Sequence, residues 1–338
     1  MRAQSPGSQL IVAAPTGTAE QLLHDDIVRF LGAESALLFP AWETLPFERV
    51  SPSVETMGRR LHVLWRLRSD NPPQVVIGSV RALLQKLGPG ATTLQPITIT
   101  PGDEIDSEQL LAKLVHDGYR REEIVEHRGE VARRGSIIDV FPSTADTPIR
   151  IDLWGDEVDR LTTFNVNDQR STDDLARTHI FPARELQLDE TVRDRARSLV
   201  ASEPWGREQW DRLADGANFD GMESWLPWLI DHEQLITDVL PPASELIFVD
   251  PKRMRDRASD LLAEEDDLAR ALASTWARDA EKTFPRLHLD IDRLFGPSQS
   301  LNALSLSLPF EALDAPTVQS IGWGPASGDA EATALRVQ

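Results

Sequence analysis

One segment near the start of the sequence has the setting of a phosphate-binding loop, because it follows an apolar stretch and opens a helical pattern. Such a loop requires G-x-x-x-x-G-K-[ST]: glycines let backbone amides approach the phosphates, lysine neutralises them, and the last hydroxyl holds Mg²⁺. The corresponding residues here are Ala14, Gly17 within the loop, Ala19, Glu20 and Gln21. Because Glu20 stands in the place of the lysine, it would repel a polyphosphate. We therefore predict a degenerate loop and no ATP hydrolysis by this chain.

A second group of residues has the composition of a protein-binding surface. Residues 149–154 alternate between aliphatic residues and other types, which predicts a strand with two different faces. Its outward face would carry Arg150, Asp152 and Trp154, and Arg134 on the preceding strand could join them. An aromatic side chain beside arginine is typical of an interface hot spot. The alternative is that Trp154 packs beneath a loop while Arg150 only pairs with a neighbouring aspartate.

Other residues with chemical potential receive structural interpretations. Asp139 is interpreted as a turn or sheet hydrogen-bonding residue, and the acidic run at residues 264–267 as a solvated run. The arginines at residues 59–68 could contact phosphate, but a charged and solvated helix face is the simpler interpretation. His116 and His127 have no partner that would mark them as catalytic. Four tryptophans at near-helical spacing are predicted to fill the core beside the sheet: Trp205, Trp210, Trp225 and Trp228.

The composition excludes further classes of chemistry. The 338 residues contain no cysteine, which rules out disulfides, thiolate metal sites and cysteine nucleophiles, and the seven histidines are too scattered to form a metal site. The sequence contains no second phosphate loop, no D-E-A-D box and no apolar run long enough to span a membrane. A formal charge of −20 makes a general electrostatic attraction to DNA or anionic lipid unexpected.

The first hundred residues must position the phosphate-loop-like segment. Short apolar strands are predicted at residues 10–13, 36–39 and 75–77. Amphipathic helices follow them, the first ending at Gly32 and the last running from Ser79 to Gly88. Continuous apolar strands separated by helices imply a parallel sheet with helical cover, and therefore part of an α/β domain.

The segment at residues 101–188 changes character to a small α+β unit. A helix capped by Asp106 precedes short strands predicted at residues 134–141, 149–154 and 158–164, with a hairpin turn at Gly155-Asp156. The aliphatic face of the middle strand should pack against the helix around Leu111 and Val115.

The remaining residues are predicted to be mostly helical and acidic. One clear strand occurs at residues 246–249, and Pro251 just beyond it could open a charged helix. The last thirty residues are rich in proline, glycine and serine and are predicted to be loosely ordered.

Three stretches of the sequence together resemble one known family. They are Pro40 to Pro46 with Ser51-Pro52 and Arg59-Arg60-Leu61 downstream, Gly118-Tyr119 through the segment 129–142, and the segment 150–157 continuing into 164–171. Their ordered combination resembles the N-terminal, UvrB-like module of the bacterial transcription-repair coupling factors (Mfd). The resemblance extends over nearly the whole chain.

The resemblance implies an α/β fold with a degenerate P-loop-type parallel sheet domain in two sequence halves, interrupted by a small inserted α+β domain. Residues 1–100 and 189–338 would supply the two halves, the second with a loosely ordered C-terminal tail. Residues 101–188 would be the inserted domain. The strand at residues 246–249 would then complete the sheet that begins at Leu10.

The resemblance also implies a partner for the inserted domain. Arg134, Arg150 and Trp154 match the positions through which the family contacts UvrA, the damage-recognition ATPase, although the family often has phenylalanine at the place of Trp154. We expect replacement of Arg150 and Trp154 with alanine to weaken UvrA binding and leave the fold intact.

The function implied is that of a non-catalytic recruitment module, which binds UvrA to direct nucleotide excision repair to stalled RNA polymerase. In the family, modules that bind RNA polymerase and translocate on damaged DNA with ATP and Mg²⁺ would follow residue 338. We therefore expect this chain to need no cofactor or metal and to be cytoplasmic, with no membrane partner. The alternative is a UvrB-like subunit that retains ATP binding through an altered loop, or that binds DNA through the arginines at residues 59–68.

Overall fold

The computed structural model describes residues 9–45, 48–241, 244–273, 284–295 and 302–306. The first elements are β1 (Leu10–Ala14), α1 (Gly17–Leu31), β2 (Ala36–Leu38), α2 (Val54–Arg66), β3 (Val75–Ser79) and α3 (Val80–Leu84). The three predicted strands are confirmed. Gly32 ends α1 with a φ of 92°, as predicted, because glycine tolerates that conformation. The helix capped by Ser79 ends at Leu84, before the predicted Gly88.

The second group of elements lies between residues 97 and 180. It comprises β4 (Ile97–Ile99), α4 (Ser107–His116), β5 (Arg120–Arg121), β6 (Glu130–Arg134), β7 (Ile137–Val140), β8 (Ile149–Trp154), β9 (Glu157–Phe164), β10 (Ser171–Asp174) and β11 (Thr178–Ile180). The hairpin at Gly155 is confirmed, and the strand predicted at residues 134–141 is present as β7, but its predicted start is wrong. The chain turns at Gly135, whose φ is 64°, so Arg134 ends β6 and pairs with Ile137.

The last described elements are α5 (Glu190–Ser202), α6 (Arg207–Ala214), α7 (Leu226–Leu229), β12 (Glu245–Val249), α8 (Pro251–Ala273), α9 (Asp292–Phe295) and β13 (Asn302–Leu306). Pro251 begins α8, as predicted, at the position where its missing N–H costs no hydrogen bond. The tail predicted to be loosely ordered lies outside the described residues.

A parallel sheet of five strands in the order β13-β12-β1-β3-β2 forms the first layer. Leu10 pairs with Glu245 on one side and with Val75 on the other, so the strand after residue 244 completes the sheet as predicted. The α/β class is therefore confirmed for this part of the chain. Its core includes Ile11, Val76 and Phe248, which are buried against residues of the surrounding helices.

A second sheet of six strands has the order β10-β9-β8-β7-β6-β5, and all its pairs except β5–β6 are antiparallel. Its aliphatic face shares a core with Leu110, Leu111 and Leu114 of α4. The predicted contribution of Val115 to this core is wrong: that side chain turns to solvent on the far side of α4.

Two further predictions about buried residues need correction. Trp210, Trp225 and Trp228 are core residues, and the partly buried Trp205 packs against them. The ring centroids of Trp210 and Trp225 are 4.7 Å apart, but the cluster also contains residues of α5, α6 and α7 and is separate from the sheet's own core. The acidic run is not wholly solvated, because Glu265 is buried and accepts a hydrogen bond from the backbone N–H of Leu287.

The arginine-rich helix α2 has two unlike faces. Arg59 pairs with Glu55 at the surface, whereas Arg60 is fully buried and donates to Glu185 at 2.8 Å and to the carbonyl of Pro40 at 2.8 Å. Glu185 also accepts from the indole N–H of Trp42 at 2.7 Å. This buried cluster joins α2 to the segment that follows β11. The prediction that the arginines at residues 59–68 all share a solvated face is therefore wrong for Arg60.

Candidate functional site: a sheet face and a cleft

The outward face of the six-stranded sheet presents an unusual aromatic residue. Trp154 ends β8, pairs with Glu157 across the hairpin, and is 82% exposed. The interpretation in which this ring packs beneath a loop is therefore excluded. An exposed tryptophan leaves a large apolar area in water, which is a common mark of a binding surface.

On the same sheet, four residues along β8 from Trp154, a buried carboxylate holds two arginines. Asp139 on β7 is 1% exposed. It accepts from Nη2 of Arg134 at 2.6 Å, and from Nε and Nη2 of Arg150 at 2.7 and 2.9 Å. The pairing follows from sheet register, because Arg150 lies directly opposite Asp139 and Arg134 ends the neighbouring strand. The geometry is the paired, planar type that strengthens arginine–carboxylate bonds.

The two arginines differ in what they can offer a partner. The side chain of Arg150 is only 11% exposed. Its remaining Nη1 donates to the carbonyl of Gln169 at 3.0 Å, and its guanidinium lies 4.8 Å from the centre of the Phe164 ring. The hydrogen bond to Asp139 raises the pKa of Arg150. Arg134 has the more open side chain, 42% exposed, and reaches solvent beside the cluster.

The interpretation of Asp139 as a turn or sheet hydrogen-bonding residue is confirmed, but the sequence did not show that its partners are Arg134 and Arg150. The contribution of the flanking strand was also missed. Arg160 on β9 lies opposite Asp152 and pairs with Asp174 at 2.6 Å, which extends the charged surface away from Trp154. Burial raises the pKa of Asp152, and Arg150 opposes that rise. The sequence does place arginines on both strands that flank Asp139. To predict that they pair with it, however, one must know the register in which β7 pairs with β6 and β8.

The phosphate-loop-like segment lines a cleft of about 480 Å³. Ala14 ends β1, Gly17 begins α1, and the side chain of Thr16 caps the helix by accepting from the N–H of Ala19. The amide of Gln21 donates to Asp25 on the next turn. These contacts show an ordinary helix start, and the other walls of the cleft are supplied by the segment after β2 and by α2, α3 and α8.

Glu20 is buried in that cleft and is only 8% exposed. Desolvation raises its pKa to about 7, against hydrogen bonding from Ser79 and the charge of Arg60. A carboxyl in this setting holds a proton near neutral pH more readily than an exposed one. Among the described residues, no cluster of three or more histidine, aspartate or glutamate side chains has the arrangement of a metal site.

Comparison with known proteins finds a family match for the segment that contains the six-stranded sheet. Residues 97–186 match the UvrB interaction domain family. The UvrB interaction domain of this chain therefore contains the whole six-stranded sheet, with Trp154 and the Asp139 cluster on its outward face.

The rest of the chain extends this similarity. It is 40% identical to the transcription-repair-coupling factor of Mycobacterium tuberculosis over 76% of this chain and 22% of that protein. The factor of Myxococcus xanthus is 32% identical over 76% of this chain and 23% of its own length, and that of Escherichia coli 27% over 94% and 29%. The predicted resemblance is confirmed. This chain thus spans between a fifth and a third of the curated relatives, and its UvrB interaction domain is only part of the matched region.

Proposed function

We propose that this chain is a non-catalytic recruitment module of transcription-coupled repair, and that the outward face of its UvrB interaction domain binds UvrA. The observation that carries the proposal is the 82% exposed Trp154 on the same sheet as an arginine–aspartate cluster within that domain. In the longer protein, RNA polymerase and damaged DNA would be engaged by other modules. The role of the module is then to supply affinity for the repair machinery.

The three residues have different parts in this surface. Trp154 would be the apolar anchor, since it can bury a large area with little loss of side-chain entropy. Arg134 would be the accessible charged contact of the same surface. Arg150 would be a positioning residue, because its guanidinium is occupied by Asp139 and Gln169. The Asp139 carboxylate would hold Arg134 in the orientation that a partner meets.

The competing function, nucleotide binding through an altered loop, has less support. A phosphate-binding site needs an excess of positive charge at the helix start, and the cleft of this chain has Glu20, Glu43 and Glu264 in its wall. The further proposal is therefore that neither ATP nor Mg²⁺ is a cofactor of this chain.

Binding to purified UvrA tests the proposed function. Trp154→Ala should weaken binding by about tenfold or more, as expected for loss of a hot-spot residue, and Arg134→Ala should weaken it by a similar or smaller factor. Val115→Ala is the matched control, because Val115 is also an exposed apolar residue of this domain but lies on α4, which covers the opposite face of the sheet. Unchanged affinity for a folded Trp154→Ala variant would overturn the assignment.

A further inference from the structure

The cleft at the start of α1 has the features of a ligand site in its own right. Its volume is about 480 Å³, and it lies between the first turn of α1, the segment after β2, and helices α2, α3 and α8. Its apolar wall is formed by the ring of Trp42 with Val80 and Leu261. The indole N–H of Trp42 is bound to Glu185, so the ring has a fixed orientation.

An unpartnered acceptor lies in this wall. The Oε2 atom of Glu20 is buried and has no hydrogen-bond partner among the described residues. The residue as a whole is more than nine-tenths buried. A buried polar atom without a partner costs free energy, so a partner supplied by a ligand would be stabilising. The helix start alone would favour an anion, but a carboxyl occupies the position that an anion would need.

The remaining charges in the wall are also mainly negative. Glu43, Asp260 and Glu264 line the cleft together with Glu20, against only two arginines among its lining residues. Burial acts to raise the pKa of Glu43, but hydrogen bonds from Thr56 and Ser53 outweigh it and leave that pKa below its usual value.

Both arginines are already engaged. Arg81 donates from Nη2 to the carbonyl of Thr44 at 3.0 Å, and Arg257 lies 3.6 Å from the carboxylate of Asp260. The Nε atom of Arg81 is a buried donor without a partner, so Arg81 keeps one hydrogen bond to offer. The acidic side chains of the wall nevertheless outnumber the two arginines, and carboxylates are the usual acceptors of guanidinium and ammonium groups.

We infer that this cleft binds a guanidinium or ammonium group carried on a short apolar stem, with Glu20 Oε2 as its acceptor and Trp42 beside the stem. The carrier is either a free small cation or a basic side chain of a partner protein, and both present the same chemistry. This site is separate from the outward face of the UvrB interaction domain and does not depend on UvrA binding.

Calorimetric titration with agmatine tests the inference, and butanol serves as an uncharged probe. We expect saturable binding of agmatine and none of butanol, with a loss of about tenfold in Glu20→Gln, which removes a charge-assisted hydrogen bond. Asp26→Asn is the matched control, since Asp26 is an exposed acid on the same helix and pairs only with Arg29 at the surface. Failure of both agmatine and the arginine peptide described below to bind the folded native chain would overturn the inference, as would saturable ATP binding in the cleft.

A capped glycine-arginine-glycine peptide separates the two sources of the cation. Binding of agmatine and peptide alike supports an open site for either carrier, whereas binding of the peptide alone supports a partner side chain. Failure of both probes contradicts the site.

The pH dependence of agmatine binding needs no substitution and so does not depend on how a variant folds. The charged groups lining the cleft are Glu20, Glu43, Arg81, Arg257, Asp260 and Glu264, and the buried Arg60 acts on Glu20 from behind the wall. Because the pKa of Glu20 is about 7, its carboxyl must lose a proton to hold a cation, and affinity should rise by about tenfold between roughly pH 6 and pH 8. A flat profile in the native chain would contradict the role of Glu20. The Glu20→Gln variant should give the flat profile instead.

Discussion

At the scale of single residues, the arginines of the proposed UvrA surface are not equivalent. Arg150 and Arg134 share the carboxylate of Asp139, but only Arg134 retains a largely open side chain. Removal of Arg150 would leave Asp139 buried with one arginine, and would also release the carbonyl of Gln169. The effect of a substitution on binding must therefore be separated from its effect on the fold.

This difference predicts unequal stability effects for two residues of β8. Arg150→Ala should lower the free energy of unfolding by about 2–4 kcal/mol, because it breaks a buried ion pair. Trp154→Ala should change it by less than about 0.5 kcal/mol, since the ring is exposed. Urea unfolding of each variant measures both values. Equal stability of the two variants would contradict the positioning role of Arg150. If Arg150→Ala is destabilised as predicted here, the expectation from the sequence that the fold tolerates its loss is wrong.

Glu20 provides a second residue-scale prediction, from its raised pKa. A carboxyl whose folded pKa lies near 7 and whose unfolded pKa is about 4.3 costs no stability below the unfolded value, where it is protonated in both states. Stability is then lost as the pH rises towards 7. Glu20→Gln should therefore match the native chain near pH 4 and exceed its stability by about 1–3 kcal/mol near pH 8. Thermal unfolding at both pH values measures the difference, and a constant difference across the range would refute the assignment.

At the scale of elements, α2 is fastened to the end of the UvrB interaction domain by a buried ion pair. Arg60 contacts Glu185, and Trp42 shares the same carboxylate. The Pro40–Pro46 and Arg59–Leu61 stretches that carry part of the family resemblance thus meet at one structural cluster.

Breaking this cluster on one side should be costly. Glu185→Ala should lower the free energy of unfolding by about 3–5 kcal/mol, because it leaves the charge of Arg60 buried and uncompensated. The double variant Arg60→Met with Glu185→Leu should recover much of that loss, since an apolar pair carries no desolvation cost. Arg59→Ala, on the exposed face of α2, is the control. The double-mutant cycle consists of Arg60→Met, Glu185→Leu and the double variant. Additive effects in this cycle would show that the two side chains do not interact.

Some strands and turns of this structure were predictable from the sequence, and others were not. The parallel sheet was predictable because short apolar runs alternate with capped helices, and even the return of the chain at residue 246 followed from the family resemblance. The turn at Gly135 was missed, although Arg133-Arg134-Gly135-Ser136 is a polar break containing glycine between two apolar runs. That turn sets the register of β7, and the register alone brings Asp139 to Arg150. The outward direction of Trp154 was predictable from alternation along β8. The burial of Arg150 was not, because it depends on the register that brings Asp139 opposite it.

At the scale of the whole molecule, charge disfavours direct DNA binding. The formal charge is −20, and on α2 Arg60 is buried while Arg59 pairs with Glu55 and Arg66 with Glu34. None of the described helices is long and apolar enough to cross a bilayer.

A gel shift at two salt concentrations tests this point. We expect no complex with duplex DNA at micromolar protein, even at low salt, because phosphate contacts require unpaired cations. A complex that weakens steeply with salt and is lost in Arg66→Ala would support the DNA-binding alternative.

The short two-stranded sheet fixes how the UvrB interaction domain is attached. β4 and β11 pair in antiparallel register, with Ile99 opposite Thr178, so the segment between them leaves and rejoins the chain at adjacent points. Because its two ends are adjacent, this segment can be removed and the chain rejoined by a tight turn, or it can be inserted into an unrelated protein. In both cases the flanking backbone keeps its conformation. Glu185 follows this pair of strands at the end of the UvrB interaction domain, so its ion pair with Arg60 stays outside the segment that such an excision would remove.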